Sequence, residues 1–177
     1  MGGNFIIRAP ELGTMSIPQF VKASLAVAGS ESFDGRLSLH SLPRLRGALD
    51  GLDAELDVNL RAYRDATADW LAGSIAGELQ LPCSRCLEPY AWQLQAETRL
   101  RLVGSEAEEQ QLLQDFDPYW VQDDRLELHR IVEDEALLAL PMMGTCPVCR
   151  AQPLPALEHD VGDKRPSPLA QLKNLKL

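Results

Sequence analysis

Four cysteines stand in the chain, and all of them fall into two Cys-x-x-Cys units, Cys83-Ser-Arg-Cys86 and Cys146-Pro-Val-Cys149. Independent scatter would rarely pair every cysteine in this way, so the spacing asks for a chemical cause. Metal binding supplies one. Two intervening residues let a tight turn aim both thiolates at one point, and two such turns complete a tetrahedral four-sulfur site with Zn–S of ~2.3 Å. Pro82 before the first pair and Pro147 inside the second stiffen those turns. Arg85 and Arg150 stand beside the cysteines, where they would offset the charge of four thiolates. The expected cofactor is a structural zinc ion on Cys83, Cys86, Cys146 and Cys149.

The separation of the pairs argues against a compact zinc ribbon. Fifty-nine residues lie between Cys86 and Cys146, whereas the ribbon pattern has ~15–20. A metal here would clip a long loop, and its binding energy would be released only on folding. Two other readings stay open. Thiol-disulfide chemistry uses a Cys-x-x-Cys at a helix N-terminus after a strand, while the first pair here lies between two alternating runs with Pro89 close behind. Free thiols without metal are the other. Secretory disulfides are disfavoured, because Met1 to Thr14 lacks the basic start and apolar stretch of an export signal.

Catalytic constellations are otherwise thin. His40, His129 and His159 sit in unrelated contexts. Glu133, Asp134 and Glu135 are the densest carboxylate cluster, but successive helical residues point ~100° apart and cannot all converge on one ion or substrate. No glycine-rich phosphate loop occurs. The expectation is a protein that is not an enzyme and takes no small-molecule substrate.

The elements that must position the cysteines follow from periodicity. Leu52, Ala54, Leu56, Val58, Leu60 and Ala62 alternate with polar residues, as do Leu71, Gly73, Ile75, Gly77, Leu79 and Leu81. Trp92, Leu94, Ala96, Thr98, Leu100 and Leu102 alternate again. Three half-buried strands with short joins make an antiparallel meander from Leu52 to Val103, and Gly73 and Gly77 mark a bulge or a close approach. Apolar spacing predicts helices over 17–28 and 128–140, the second stopped by Pro141. Ser105 with Glu108 three residues on predicts an N-capped helical turn over 105–113, and 119–126 a short strand. Residues 31–50 read as irregular with one helical turn or short strand. The fold class is therefore α+β, a meander covered by helices. Residues 1–14 read as an N-terminal extension, an upstream start or an expression remnant before Met15, and 15–177 as one domain. A proline-rich stretch follows the second cysteine pair, and Leu169, Leu172, Leu175 and Leu177 form a short amphipathic tail.

Composition bounds the class. The 177 residues are 45% hydrophobic and 24% charged with a net charge of −9, which excludes a disordered chain and a protein that coats nucleic acid over its whole surface. No apolar run approaches the ~20 residues of a spanning helix, so no membrane role is expected and a cytoplasmic location is. The acidity is local: residues 104–135 carry 11 carboxylates against Arg125 and Arg130.

Taken together, Cys83-Ser-Arg-Cys86-Leu-Glu-Pro-Tyr90, Val132-Glu-Asp-Glu-Ala-Leu-Leu-Ala-Leu-Pro141, Cys146-Pro-Val-Cys149 and Arg165-Pro-Ser-Pro-Leu-Ala-Gln-Leu-Lys-Asn-Leu175 resemble the YceD-like family, the large ribosomal RNA subunit accumulation proteins. The resemblance runs from about Ile17 to the C-terminus and lies in the order and spacing of the motifs. It implies a non-enzymatic cytoplasmic factor that supports 23S ribosomal RNA accumulation. Its partner would be a ribosomal protein, an assembly factor or the RNA itself.

Charge and resemblance pull apart. The acidic segment suits a basic protein partner, with Asp115, Asp117, Asp123 and Asp124 outside the core pattern and available to it. Direct RNA contact would fall to a small basic patch of Arg85, Arg99 and Arg101, with Tyr90 and Trp92 near the first cysteine turn. The protein partner is the slightly favoured expectation.

Overall fold

The computed structural model of the chain describes residues 16–49 and 52–152. The three alternating runs form β3 (Glu55–Arg64), β4 (Asp69–Pro82) and β5 (Pro89–Val103), preceded by β1 (Val21–Lys22), α1 (Ala23–Gly29), β2 (Ser32–Ser38) and α2 (Pro43–Ala48). After β5 come α3 (Glu106–Leu112), β6 (Asp117–Trp120), β7 (Arg125–Leu126) and α4 (Leu128–Ala139). The main sheet has the order β2-β3-β4-β5-β6, antiparallel except that β6 lies parallel to β5. The architecture is thus α+β with a mixed sheet, where the sequence predicted an antiparallel one. The reason is connectivity: the segment carrying α3 crosses over from the end of β5, so β6 returns in the same direction. β1 and β7 form a separate antiparallel pair.

One face of the sheet is the core face. Leu56, Leu60, Leu71, Ile75, Leu79 and Leu94 are fully buried there, each leucine contributing roughly 1.5–3 kcal/mol relative to exposure. Against it pack α1 on β3 and α4 on β4 and β5, while α2 packs on α4. The close approach expected at the glycines is real. A Cβ on Gly73 would overlap the Asn59 carbonyl oxygen and stand 2.8 Å from Leu60 Cα.

The structure corrects the reading of residues 17–50. The helix expected over 17–28 begins only at Ala23, because Val21 and Lys22 pair with Leu126 and Arg125. The stretch read as irregular contains β2, a 3-10 turn at Leu39–Ser41 and α2. Gly35 takes an inward position between Phe33 and Leu37, opposite Val58, so the strand lacks one apolar beat and its alternation disappears from the sequence. The later helix is found, at Leu128–Ala139, as is the Ser105 cap, which accepts from the Glu108 amide at 3.3 Å.

The chain up to Cys146 forms one unit, and a second begins at Pro147. Of the second, residues 147–152 are described, and they hold α5 (Pro147–Ala151). The 1–14 extension, the proline-rich stretch from Pro153 and the leucine-bearing tail lie outside the described residues. No helix among the described residues is long and apolar enough to cross a membrane.

Candidate metal centre

The first cysteine pair lies in the connection between β4 and β5. The Leu87 amide donates to the Cys83 carbonyl at 2.9 Å and closes a turn, with Leu87 in the left-handed region at φ 64°. The second pair is not a second turn of that kind. Its cysteines bracket the start of α5, so the first helical turn spaces Cys146 from Cys149.

Backbone contacts bring Cys146 to Cys83. The Ser84 amide donates to the Gly144 carbonyl at 2.8 Å, and the Cys146 amide donates to Cys83 Sγ at 3.4 Å. Gly144 lies close against Tyr90: a Cβ there would overlap Tyr90 Oη and stand 3.2 Å from Tyr90 Cζ, so the ring or the loop would have to shift. Among the described residues, the sulfurs of Cys83, Cys86, Cys146 and Cys149 all lie within 4.8 Å of one another. Cys83 is fully buried, and only Cys86 is exposed.

The spacing fits a tetrahedral ion. Sulfurs at ~2.3 Å from a common centre stand ~3.8 Å apart at the tetrahedral angle, and Cys86 Sγ lies 3.8 Å from Cys146 Sγ. A disulfide needs ~2.05 Å. Hydrogen bonds also favour the thiolate. The amides of Cys146, Cys86 and Arg85, in that order of effect, pull the Cys83 thiol down to about 6 from its ordinary 9.0, and amide donors of this sort orient and stabilise metal-bound sulfur. Four cysteine ligands would leave no coordination position open, the donor set of a structural rather than a catalytic metal site.

The four aspartates singled out in the acidic segment are not equivalent. Asp124, though exposed, is committed to bonds within the fold. Its carboxylate accepts the Ser24 amide at 2.7 Å and the Ser24 hydroxyl at 2.6 Å, and its carbonyl accepts the Ala23 amide at 3.0 Å. Asp124 thereby caps α1, whose own N-cap residue, Lys22, supplies no side-chain bond. Asp123 and Asp124 both have positive φ, 52° and 57°, the conformation of a tight hairpin turn between Gln122 and Arg125. Asp115 and Asp117 are exposed and make no ion pair among the described residues. Glu133 also works internally: it is buried and accepts the amides of Arg44 and Leu45 at 2.6 and 3.1 Å.

The three arginines do not form the expected patch. Arg99 and Arg101 share the outward face of β5, opposite Ala72 and Trp70 of β4. Arg85 lies in the cysteine turn at the other end of that hairpin, roughly 30 Å of strand away at ~3.3 Å per residue. Tyr90 is buried and Trp92 half-buried. What stands near Arg99 and Arg101 instead is Arg61, which faces Ala72 from the opposite side. The signal was available: Arg61, Arg99 and Arg101 all occupy outward positions of the meander.

The family model described as "Large ribosomal RNA subunit accumulation protein YceD" matches residues 71–176, a span that includes both cysteine pairs. A protein of that name from Haemophilus influenzae is 27% identical over 149 residues, covering 80% of this chain and 86% of its own length. The uncharacterized protein YlbN of Bacillus subtilis is 32% identical over 119 residues, covering 66% of each. No solved structure matches the chain significantly.

Proposed function

The chain belongs to the YceD family of large ribosomal RNA subunit accumulation proteins, and on that premise we propose that it supports accumulation of 23S ribosomal RNA by binding rather than by catalysis. The family match over both cysteine pairs carries this assignment. The Haemophilus relative bears the same description across most of its length.

Within this role, Cys83, Cys86, Cys146 and Cys149 hold one structural zinc. The ion would supply no reaction. It would clip the β4–β5 turn to the start of α5, a closure whose free energy appears only in the folded chain. A thiol-disulfide role is the weaker alternative, since four cysteine sulfurs gathered within 4.8 Å of one another suit an ion better than a transient disulfide between two of them.

Depletion of the protein in its own cells, with 23S and 16S ribosomal RNA quantified on the same gel, tests the assignment. The 23S to 16S ratio should fall and return when the intact chain is supplied. An unchanged ratio would remove it.

A further inference from the structure

Most described arginines are tied to carboxylates. Arg36, Arg44, Arg46, Arg64, Arg125 and Arg130 each make an ion pair. Arg61, Arg99 and Arg101 make none among the described residues, and these three are neighbours on the outward face of the sheet. Arg61 and Arg99 flank Ala72 in one cross-strand row, while Tyr63, Trp70 and Arg101 make up the next. The patch spans two strand spacings, about 10 Å, and two residues along β5, about 7 Å.

Two of the arginines are also held in place. Arg99 lies over the Trp70 ring at 4.5 Å and Arg101 over the Phe116 ring at 5.2 Å. Trp70 and Phe116 meet edge to face at 5.8 Å. Trp70 is buried, but Phe116 is 42% exposed. Guanidinium planes and an exposed ring are the surfaces on which unpaired bases stack, and three uncompensated positive charges suit a phosphate chain. A cluster of positive charge that pairs with no carboxylate among the described residues, in a chain of net charge −9, raises a local positive potential that attracts an external anion.

From this arrangement we propose that the outward face of the sheet, at Arg61, Tyr63, Arg99, Arg101 and Phe116, binds single-stranded RNA. The inference rests on the accumulation role above and names its partner. Glu97, the next outward residue before Arg99 on β5, borders the patch and limits it.

Fluorescence anisotropy of the full-length protein with a labelled single-stranded oligouridylate of roughly twelve nucleotides tests it. Arg99→Gln with Arg101→Gln should weaken binding by about tenfold or more, and the slope of log Kd against log salt should fall by about 0.7 per arginine removed. Arg61→Gln touches no ring and keeps the test valid should the double variant unfold; it should weaken binding severalfold with an unchanged melting temperature. Phe116→Ala should weaken binding by about fivefold or more with the salt slope intact, because stacking is not a counterion effect. Glu97→Gln should tighten it. Absence of binding up to ~100 µM protein, or equal affinities in all variants, overturns the proposal. So does competition by oligoglutamate as strong as that by RNA, which would mark an acidic protein as the partner. In depleted cells, the Arg61→Gln, Arg99→Gln, Arg101→Gln chain should fail to restore the 23S to 16S ratio. Full restoration by that chain overturns the RNA site and leaves the accumulation role standing, whereas a ratio insensitive to depletion overturns the role itself.

Discussion

The Glu133 carboxylate accepts the Arg44 amide at 2.6 Å, joining the middle of α4 to the first turn of a helix 89 residues earlier. It also takes the Leu45 amide and the Arg44 guanidinium, so α2, which has no side-chain cap of its own, is capped by a distant carboxylate. Asp124 does the same for α1. The acidic segment 104–135 therefore fastens the two N-terminal helices to the rest of the fold.

Glu133→Ala should lower unfolding free energy by about 1–3 kcal/mol, since it orphans two helix amides that lose charge-assisted bonds. Urea denaturation measures this. Asp115→Asn, on an exposed residue of the same acidic segment, should stay within about 0.5 kcal/mol of the parent.

Among the four aspartates, Asp124→Asn alone should lower the melting temperature. The Ser24 hydroxyl and amide hold the Asp124 carboxyl below its ordinary 3.8. A depressed carboxylate contributes stability that is complete above 3.8 and is lost as pH falls through the folded value. The melting difference between parent and variant should thus be full at pH 7 and close below about pH 4. A difference that persists unchanged in acid would contradict the capping role.

Two glycine substitutions should move stability in opposite directions. Gly73→Ala forces a Cβ against the β3 backbone and should cost about 1–3 kcal/mol. Gly47 in α2 has nothing within 4 Å of its added Cβ, so Gly47→Ala should stabilise by about 0.4–1 kcal/mol.

Removing metal should expose the titration of Cys83. Its folded thiol lies at about 6 against 9.0 unfolded, so the thiolate's stabilising effect is complete above 9.0, declines toward 6 and is absent below it. Chelator-treated protein should gain stability between pH 6 and pH 9, and Cys83→Ser should flatten that rise. Gly144→Ala should also weaken zinc retention, by pushing the loop before Cys146 away from Tyr90.

The strands around the first cysteine pair were legible because β3, β4 and β5 turn every second residue toward the core face, so their pattern survives in one dimension. β2 was not, since Gly35 leaves a gap in its apolar beat. Nor was β6, four residues long, where Pro118 interrupts any pattern. The four cysteines were legible as a set by type and spacing. The contacts that gather them, Ser84 to Gly144 and Cys146 to Cys83, depend on backbone register that no local pattern encodes. The basic patch was half legible. Arg99 and Arg101 share parity on one strand, but Arg61 joins them only through the pairing of β3, β4 and β5, and Arg85 is carried away by the same hairpin.

Native mass spectrometry of the freshly purified protein tests the four-sulfur centre most directly. The mass should exceed that of the bare chain by one zinc ion, and the increment should vanish, with a large loss of thermal stability, in Cys83→Ser and Cys149→Ser. A chain that carries no metal yet keeps its full stability, or one lighter than the reduced chain by the hydrogens lost in forming disulfides, would contradict a metal-clipped fold.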